Sequence, residues 1–237
     1  MDYAQTFWDD ASDLIAVTEK HPFLVSMVEN TLNMESFRYY VVQDALYLGD
    51  FAAALRMLSK NEGISTEDSR RLASFATGAE EAEMELHSSF FREWDISADG
   101  AVQMPHTLLY TSYMLSVVAT RPHAEGLACL LPCFWVYMHV GHLMLRHREK
   151  LGSAASRPPQ FDAWIDMYAG EEFEHEVRDY IAMVNRVAGT VDDDVRQKMN
   201  VHFRKACELE HMFWDQAQVR MEWPNIVGGN TEEKKEK

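Results

Sequence analysis

The sequence predicts an all-α fold. Three observations carry that expectation. Prolines and glycines are sparse, at 7 and 11 in 237 residues. Long stretches repeat apolar residues at helical spacing, and no segment shows the β-branched alternation of a half-buried strand. No period of about 20 to 50 residues repeats, which excludes a solenoid. A chain of this length with 47% hydrophobic residues can bury one sizeable core, so a single domain over residues 1–222 is expected.

Each element has its own signal. Residues 2–18 read as one helix, ended by the His21-Pro22 step, and residues 23–32 as a short second helix. Ser36 can cap a long helix to about Lys60, in which Phe37, Tyr40, Val41, Ala45, Leu48 and Ala52 recur on one face. Residues 66–94 form a fourth helix whose EEAEMELH run reads as solvated charge, and DISADGAVQMP is a loop with turn chemistry. Pro105 opens a helix to about Ala119, and Pro122 opens the next, to about Lys150. That helix is apolar nearly all round from Leu127 to Val140, as a central buried helix must be. SAASRPPQ is a linker before a helix over 161–187 and a last one over 192–221. Residues 223–237 offer little to bury and are expected to be a disordered, charged tail.

Charge narrows the function. The formal net charge is −16, from 38 acidic and 22 basic residues, and no Lys/Arg stripe interrupts it. Such a surface repels phosphate backbones, so nucleic acid is not an expected partner. No charge-free apolar run of about 18 residues argues for a membrane span, and the acidic start MDYAQTFWDDASD has the wrong composition for a signal peptide. Cys129, Cys133 and Cys207 cannot all pair with one another, and neither CxxC nor a zinc spacing occurs. A reducing compartment, the cytosol, is expected.

The chemistry-bearing residues are spread along the chain. In LLPCFWVY, Pro132 removes a helix hydrogen bond and should kink or open the helix beside Cys133. Cys133 is then either a small buried hydrophobe or a thiol aimed at a cavity. Tyr137 lies one turn on, on the same face. In VVQDALYLGDF, Asp44 sits among apolar residues three positions before Tyr47; it is either bonded within the core or aimed at a ligand. Glu210 precedes the Phe213-Trp214 pair by about one turn, and Tyr110 and Tyr168 add phenols in apolar surroundings. Together these residues describe a pocket with a thiol, two carboxyls and several phenols. It would suit a flat, neutral heteroaromatic ring by stacking and by hydrogen bonds to exocyclic amines.

A competing constellation exists. Glu172-x-x-His175 and Glu208-x-x-His211 have the spacing found in di-iron and di-manganese bundles. Such a site also needs carboxylates from two further helices, for which only Glu125 and Asp44 or Asp50 are available. Glu208 and Glu210 point to different sides of their helix, so the metal and thiol readings exclude each other.

Five blocks in order, FRYYVVQDALYL, YTSYM, ACLLPCFWVY, WIDMYAGEEF and ELEHMFWDQA, resemble those of the TenA family, also called thiaminase II or aminopyrimidine aminohydrolase. The resemblance runs from about residue 5 to 220. It implies a haem-oxygenase-like helical bundle assembled as a homotetramer, with no metal and no cofactor. It also implies hydrolysis of the C–N bond at the 5-methylene of 4-amino-2-methylpyrimidines, in aminomethylpyrimidine or thiamin, for thiamin salvage. Carried over by position, Cys133 is the nucleophile, Asp44 holds the 4-amino group and orients the thiol, and Glu210 exchanges a proton with a ring nitrogen. Tyr47, Tyr110, Tyr137 and Tyr168 line the pocket. The cysteine places the chain in the branch that keeps it, rather than the branch that prefers formylated substrates. Two departures stand out: Phe134 where some relatives have Tyr, and Tyr168-Ala169-Gly170 in place of a YGG-like turn. His21 could hold haem by analogy with the fold's namesake, yet nothing around it in the sequence reads as a haem pocket.

Overall fold

In a computed structural model, residues 2–95, 98, 100–152 and 156–226 are described, apart from the side chains of 82–89. Side-chain caps open several helices, but the long helix expected to start at Ser36 begins earlier: Asn33, not Ser36, is its cap, and Ser36 lies inside it. Asp2 accepts from Gln5 N to open α1 (Tyr3–Asp10), and α2 (Ser12–Thr18) follows it. His21 Nδ1 accepts from Phe23 N at the start of α3 (Pro22–Val28). Asn33 and Ser65 cap the long helices α4 (Met34–Leu58) and α5 (Thr66–Trp94), and Asp192 caps α10 (Asp193–Val219). Between them lie α6 (Pro105–Thr120), α7 (His123–Leu151), α8 (Pro159–Tyr168) and α9 (Glu171–Ala188). Among the described residues every regular element is a helix, as expected.

Helix α7 is the centre of the bundle, packed chiefly against α10, α9 and α8, while α4 packs on α5 and α6. Leu127, Ala128, Cys129 and Leu131 have no exposed surface, and burying each leucine stabilises the fold by about 1.5–3 kcal/mol. By length and hydropathy alone α7 could cross a membrane, but 67% of its most apolar window is buried inside this bundle. Its apolarity is explained by neighbours. The helix runs through Pro132 without a break, so the proline does not interrupt it as an opening would.

Helix α6 has no side-chain cap of its own. Two buried glutamines from other helices replace it. Gln43 of α4 accepts from Met104 N and Thr107 Oγ1, each at 2.8 Å, and Gln216 of α10 accepts from His106 N at 2.9 Å. These bonds fix where α6 begins and hence where Tyr110, one turn on, is presented.

Two predicted helices are each divided. The first breaks at Ala11, and the 161–187 helix breaks at Ala169–Gly170. At the second break the end of α8 lies so close to α7 that a methyl on Gly141 would stand 2.6 Å from the Tyr168 carbonyl carbon. Only a glycine on α7 permits that approach. The EEAEMELH side chains from Ala82 onward and residues 227–237 lie outside the described residues. Residues 223–226 form no regular element, although Trp223 Nε1 donates to Gln103 O at 2.9 Å.

Candidate active site

A pocket of about 530 Å³ opens between α4, α5, α7 and the α8–α9 junction. That volume suits a small organic ligand. Asp44, Tyr47, Cys133, Tyr137 and Tyr168 all line it. The other two residues singled out by sequence, Tyr110 and Glu210, stand in a fully buried layer behind it: Tyr110 packs on Tyr47 with ring centroids 4.9 Å apart. Tyr110 Oη donates to Glu210 Oε1 at 2.6 Å.

Helix geometry explains the convergence. Asp44 and Tyr47 lie one turn apart on α4, as do Cys133 and Tyr137 on α7. Tyr137 is held between Tyr168 and Trp214, at centroid separations of 4.8 and 5.1 Å. Behind it, Trp164 Nε1 donates to Tyr40 Oη at 3.2 Å, and Tyr40 Oη reaches Tyr137 Oη at 3.5 Å. The aromatic wall is thus braced from α4, α7 and α8 together.

The carboxyls behave differently from surface acids. Glu210 is 1% exposed, and burial pushes its pKa up to about 8, with the Asp44 charge adding to the effect and the Tyr110 hydrogen bond opposing it. Glu210 is therefore largely protonated at neutral pH. Tyr110 occupies Oε1, which leaves Oε2 to carry the proton. Burial also pushes the Tyr47 phenol well above its ordinary value, with Cys133, Tyr110 and Glu210 acting the same way. The Tyr47 side chain lines the pocket, while its hydroxyl is buried beside Cys133 and Tyr110 and makes no hydrogen bond of good geometry.

All three cysteines are free thiols, and their surroundings separate them. Burial raises the pKa of Cys129 and Cys207, which keeps both protonated, and neither lines the pocket. Cys133 does.

The dinuclear metal alternative does not assemble. His175 is on the surface beside Asp179 at 3.7 Å, with 75% of its side chain exposed. His211 Nδ1 meets Thr18 Oγ1 at 3.1 Å. Glu125 pairs with His202, Oε2 to Nε2 at 2.9 Å, and Asp50 accepts from Gln103 at 2.8 Å. Among the described residues the closest approach to a metal ligand set is His21, His211 and Asp215, whose donor atoms lie within 4.8 Å of one another. That set does not fit an ion. His21 Nδ1 accepts from Phe23 N, so Nε2 must carry the proton, and it donates to Asp215 Oδ1 at 3.1 Å. The nitrogen a metal would need is already protonated, and the same bonds leave His21 no lone pair for a haem iron.

The sequence profile of the TENA/THI-4/PQQC family matches residues 8–221. The chain belongs to this family. It is 33% identical to the aminopyrimidine aminohydrolase of Bacillus subtilis over 216 residues, covering 90% of this chain and 88% of that protein. The aminopyrimidine aminohydrolase of Halalkalibacterium halodurans is 28% identical, over 94% and 98% of the two chains. A TenA homologue from P. horikoshii superposes with a TM-score of 0.82 at 21% identity, covering 92% of this chain and 99% of that one. A haem-oxygenase-like domain from Shewanella denitrificans gives 0.70 at 11% identity, covering 91% and 90%. The expected family and the haem-oxygenase-like fold are both borne out.

Family membership does not reveal every wall residue. Leu48, Phe51 and Phe134 add apolar surface, and Glu81, Asp166, Glu171, Glu172 and Glu176 add acid. The acids were visible as composition in GEEFEHE, but their use as pocket wall depends on the α8–α9 break, which periodicity did not show.

Proposed function

We propose that this protein hydrolyses the C–N bond at the 5-methylene of 4-amino-2-methylpyrimidines, releasing the 5-hydroxymethyl compound for thiamin salvage. The names of its relatives supply the reaction class. The observation that carries the reading is the grouping of Cys133 and Asp44 in one aromatic pocket with a protonated Glu210 behind its wall.

The ring stacks on the tyrosine wall, and Asp44 accepts a hydrogen bond from the 4-amino group. Cys133 Sγ forms a bond to an electron-poor ring carbon while Glu210 gives its proton to a ring nitrogen. The electrons now held in the ring expel the leaving group from the 5-methylene as that C–N bond breaks. Water then adds its oxygen to the methylene. The S–C bond breaks and the ring nitrogen returns its proton to Glu210; the thiol proton released on attack has left with the amine, and the water's second proton restores the Cys133 thiol. Asp44 in the pocket wall suits the acceptor and the protonated Glu210 the donor. The aromatic wall holds the ring in place for the thiol. The alternative of a non-catalytic binding relative is disfavoured by the thiol's place in the pocket wall. Free thiols at all three cysteines fit work in the cytosol, and the family resemblance supports a homotetramer.

The test is Cys133→Ser. Hydroxymethylpyrimidine release should fall at least about a hundredfold while the helical circular dichroism is retained. Turnover near that of the unaltered protein would overturn the assignment.

A further inference from the structure

The outer wall of the pocket is acidic on several elements. Asp166 comes from α8, Glu171, Glu172 and Glu176 from α9, and Glu81 from α5, while no Lys, Arg or His lines the pocket among the described residues. Nearby cations are already engaged elsewhere. Arg71 pairs with Asp179, Arg178 with Glu174, and Arg148 with Asp162 and Asp166.

Part of this charge has an ordinary explanation. Glu171 and Glu172 occupy the first turn of α9, where acids complement the helix dipole. Glu176 does not. It lies beyond the first turn, half-buried, with a carboxylate oxygen so near α5 that a methyl on Gly78 would stand 3.2 Å from it. Burial pushes its pKa up, and Glu172 and Asp179 add to the rise, against the opposing charges of Arg71 and His175. A carboxyl held against that cost, next to an acid on the same wall, calls for a positive occupant. These acids share one pocket of about 530 Å³ with Cys133 and the tyrosine wall.

The inner end is closed by Tyr47, Tyr137 and the buried Tyr110–Glu210 pair, so a ring seated there directs its 5-substituent toward the acids. We propose that Glu172 and Glu176, with Glu81 and Glu171 around them, form a leaving-group subsite that selects cationic, unphosphorylated substituents and rejects phosphate esters. The subsite rests on the function proposed above. It favours a protonated aminomethyl group or a thiazolium and repels the same substrate once a phosphate is attached.

The experiment compares kcat/KM for thiamin and thiamin monophosphate, in the unaltered protein and in Glu172→Gln/Glu176→Gln. The unaltered protein should favour thiamin, and the double variant should shrink that preference by roughly three- to tenfold. Added salt should shrink it in the unaltered protein as well, a readout that needs no variant to fold. Equal use of the two substrates by the unaltered protein, or a preference unmoved by both substitution and salt, would overturn the subsite and leave the hydrolase reading intact. Absence of hydrolysis of thiamin, its monophosphate and aminomethylpyrimidine alike would overturn both.

Discussion

Two buried carboxyls in this protein are reached by tyrosines of α6, one directly and one through a histidine, and their surroundings differ. Glu125 of α7 meets His202 Nε2 at 2.9 Å, and His202 Nδ1 in turn meets Tyr113 Oη at 2.7 Å. Glu210 of α10 meets Tyr110, one turn earlier on α6, and otherwise faces the charge of Asp44. A base beside the first carboxyl makes a closed structural network. Burial pushes the other up to about 8, with the nearby acid Asp44 adding to the rise, and leaves it a proton to give. Both carboxyls are buried, and what differs is the group that each meets. The cysteines repeat the lesson: Cys129 and Cys133 share a face of α7, and only the second reaches the pocket.

The largest test of this comparison is between those thiols. Against the activity loss expected for Cys133→Ser, Cys129→Ser should keep kcat within a few-fold and lose stability by about 1–3 kcal/mol, from a hydroxyl buried without a partner. Denaturant unfolding together with the hydrolysis assay checks both halves. A comparable activity loss at Cys129 would end the distinction.

The carboxyl comparison is tested by pH. The folded pKa of Glu210, about 8, lies above the ordinary 4.5, so the stability it contributes is complete below about 4.5 and is lost as pH rises through 8. Glu210→Gln, which keeps an acceptor for Tyr110, should remove that decline and exceed the unaltered protein at pH 9 by on the order of 1–3 kcal/mol. Parallel pH–stability curves for the unaltered protein and Glu210→Gln would contradict the assignment.

Gly141→Ala probes the α7–α8 approach. The added methyl must displace the Tyr168 backbone, so a stability loss of about 1–3 kcal/mol and a raised KM are expected. An unchanged KM would mean that Tyr168 does not position substrate.

The smallest effect belongs to His21, far from the thiol in role. Its pKa lies below 6.5, chiefly through burial and secondly through His211, so protonation opposes folding. Stability is present above about 6.5 and falls as pH drops toward the lowered folded value, because Nδ1 must stop accepting from Phe23 N. His21→Asn should flatten that acid limb and cost about 1 kcal/mol of cap at pH 8, read by thermal unfolding.

Much of this was legible in the chain itself. Caps at Ser65 and Asp192 and the prolines that open α3 and α6 mark helix ends by local chemistry, which acts over a few residues, although at α4 the cap is Asn33 and not the expected Ser36. The all-round apolarity of α7 announced its central place, and the one-turn pairs Asp44/Tyr47 and Cys133/Tyr137 announced shared faces. The breaks at Ala11 and Ala169–Gly170 were not legible, because periodicity continues across them. Nor did spacing separate the Glu-x-x-His pairs from a metal site, since helical register says which residues share a face but not what that face meets.

By itself the sequence determined the helices, their polarity, the buried centre and the residue types available for chemistry, because propensity, capping and periodicity are local. Only the tertiary structure decided which acid would hold a proton, which thiol would see a cavity and which glutamates would become pocket wall. Those outcomes depend on desolvation and on the charge of neighbours from other helices, and both exist only once the helices have packed.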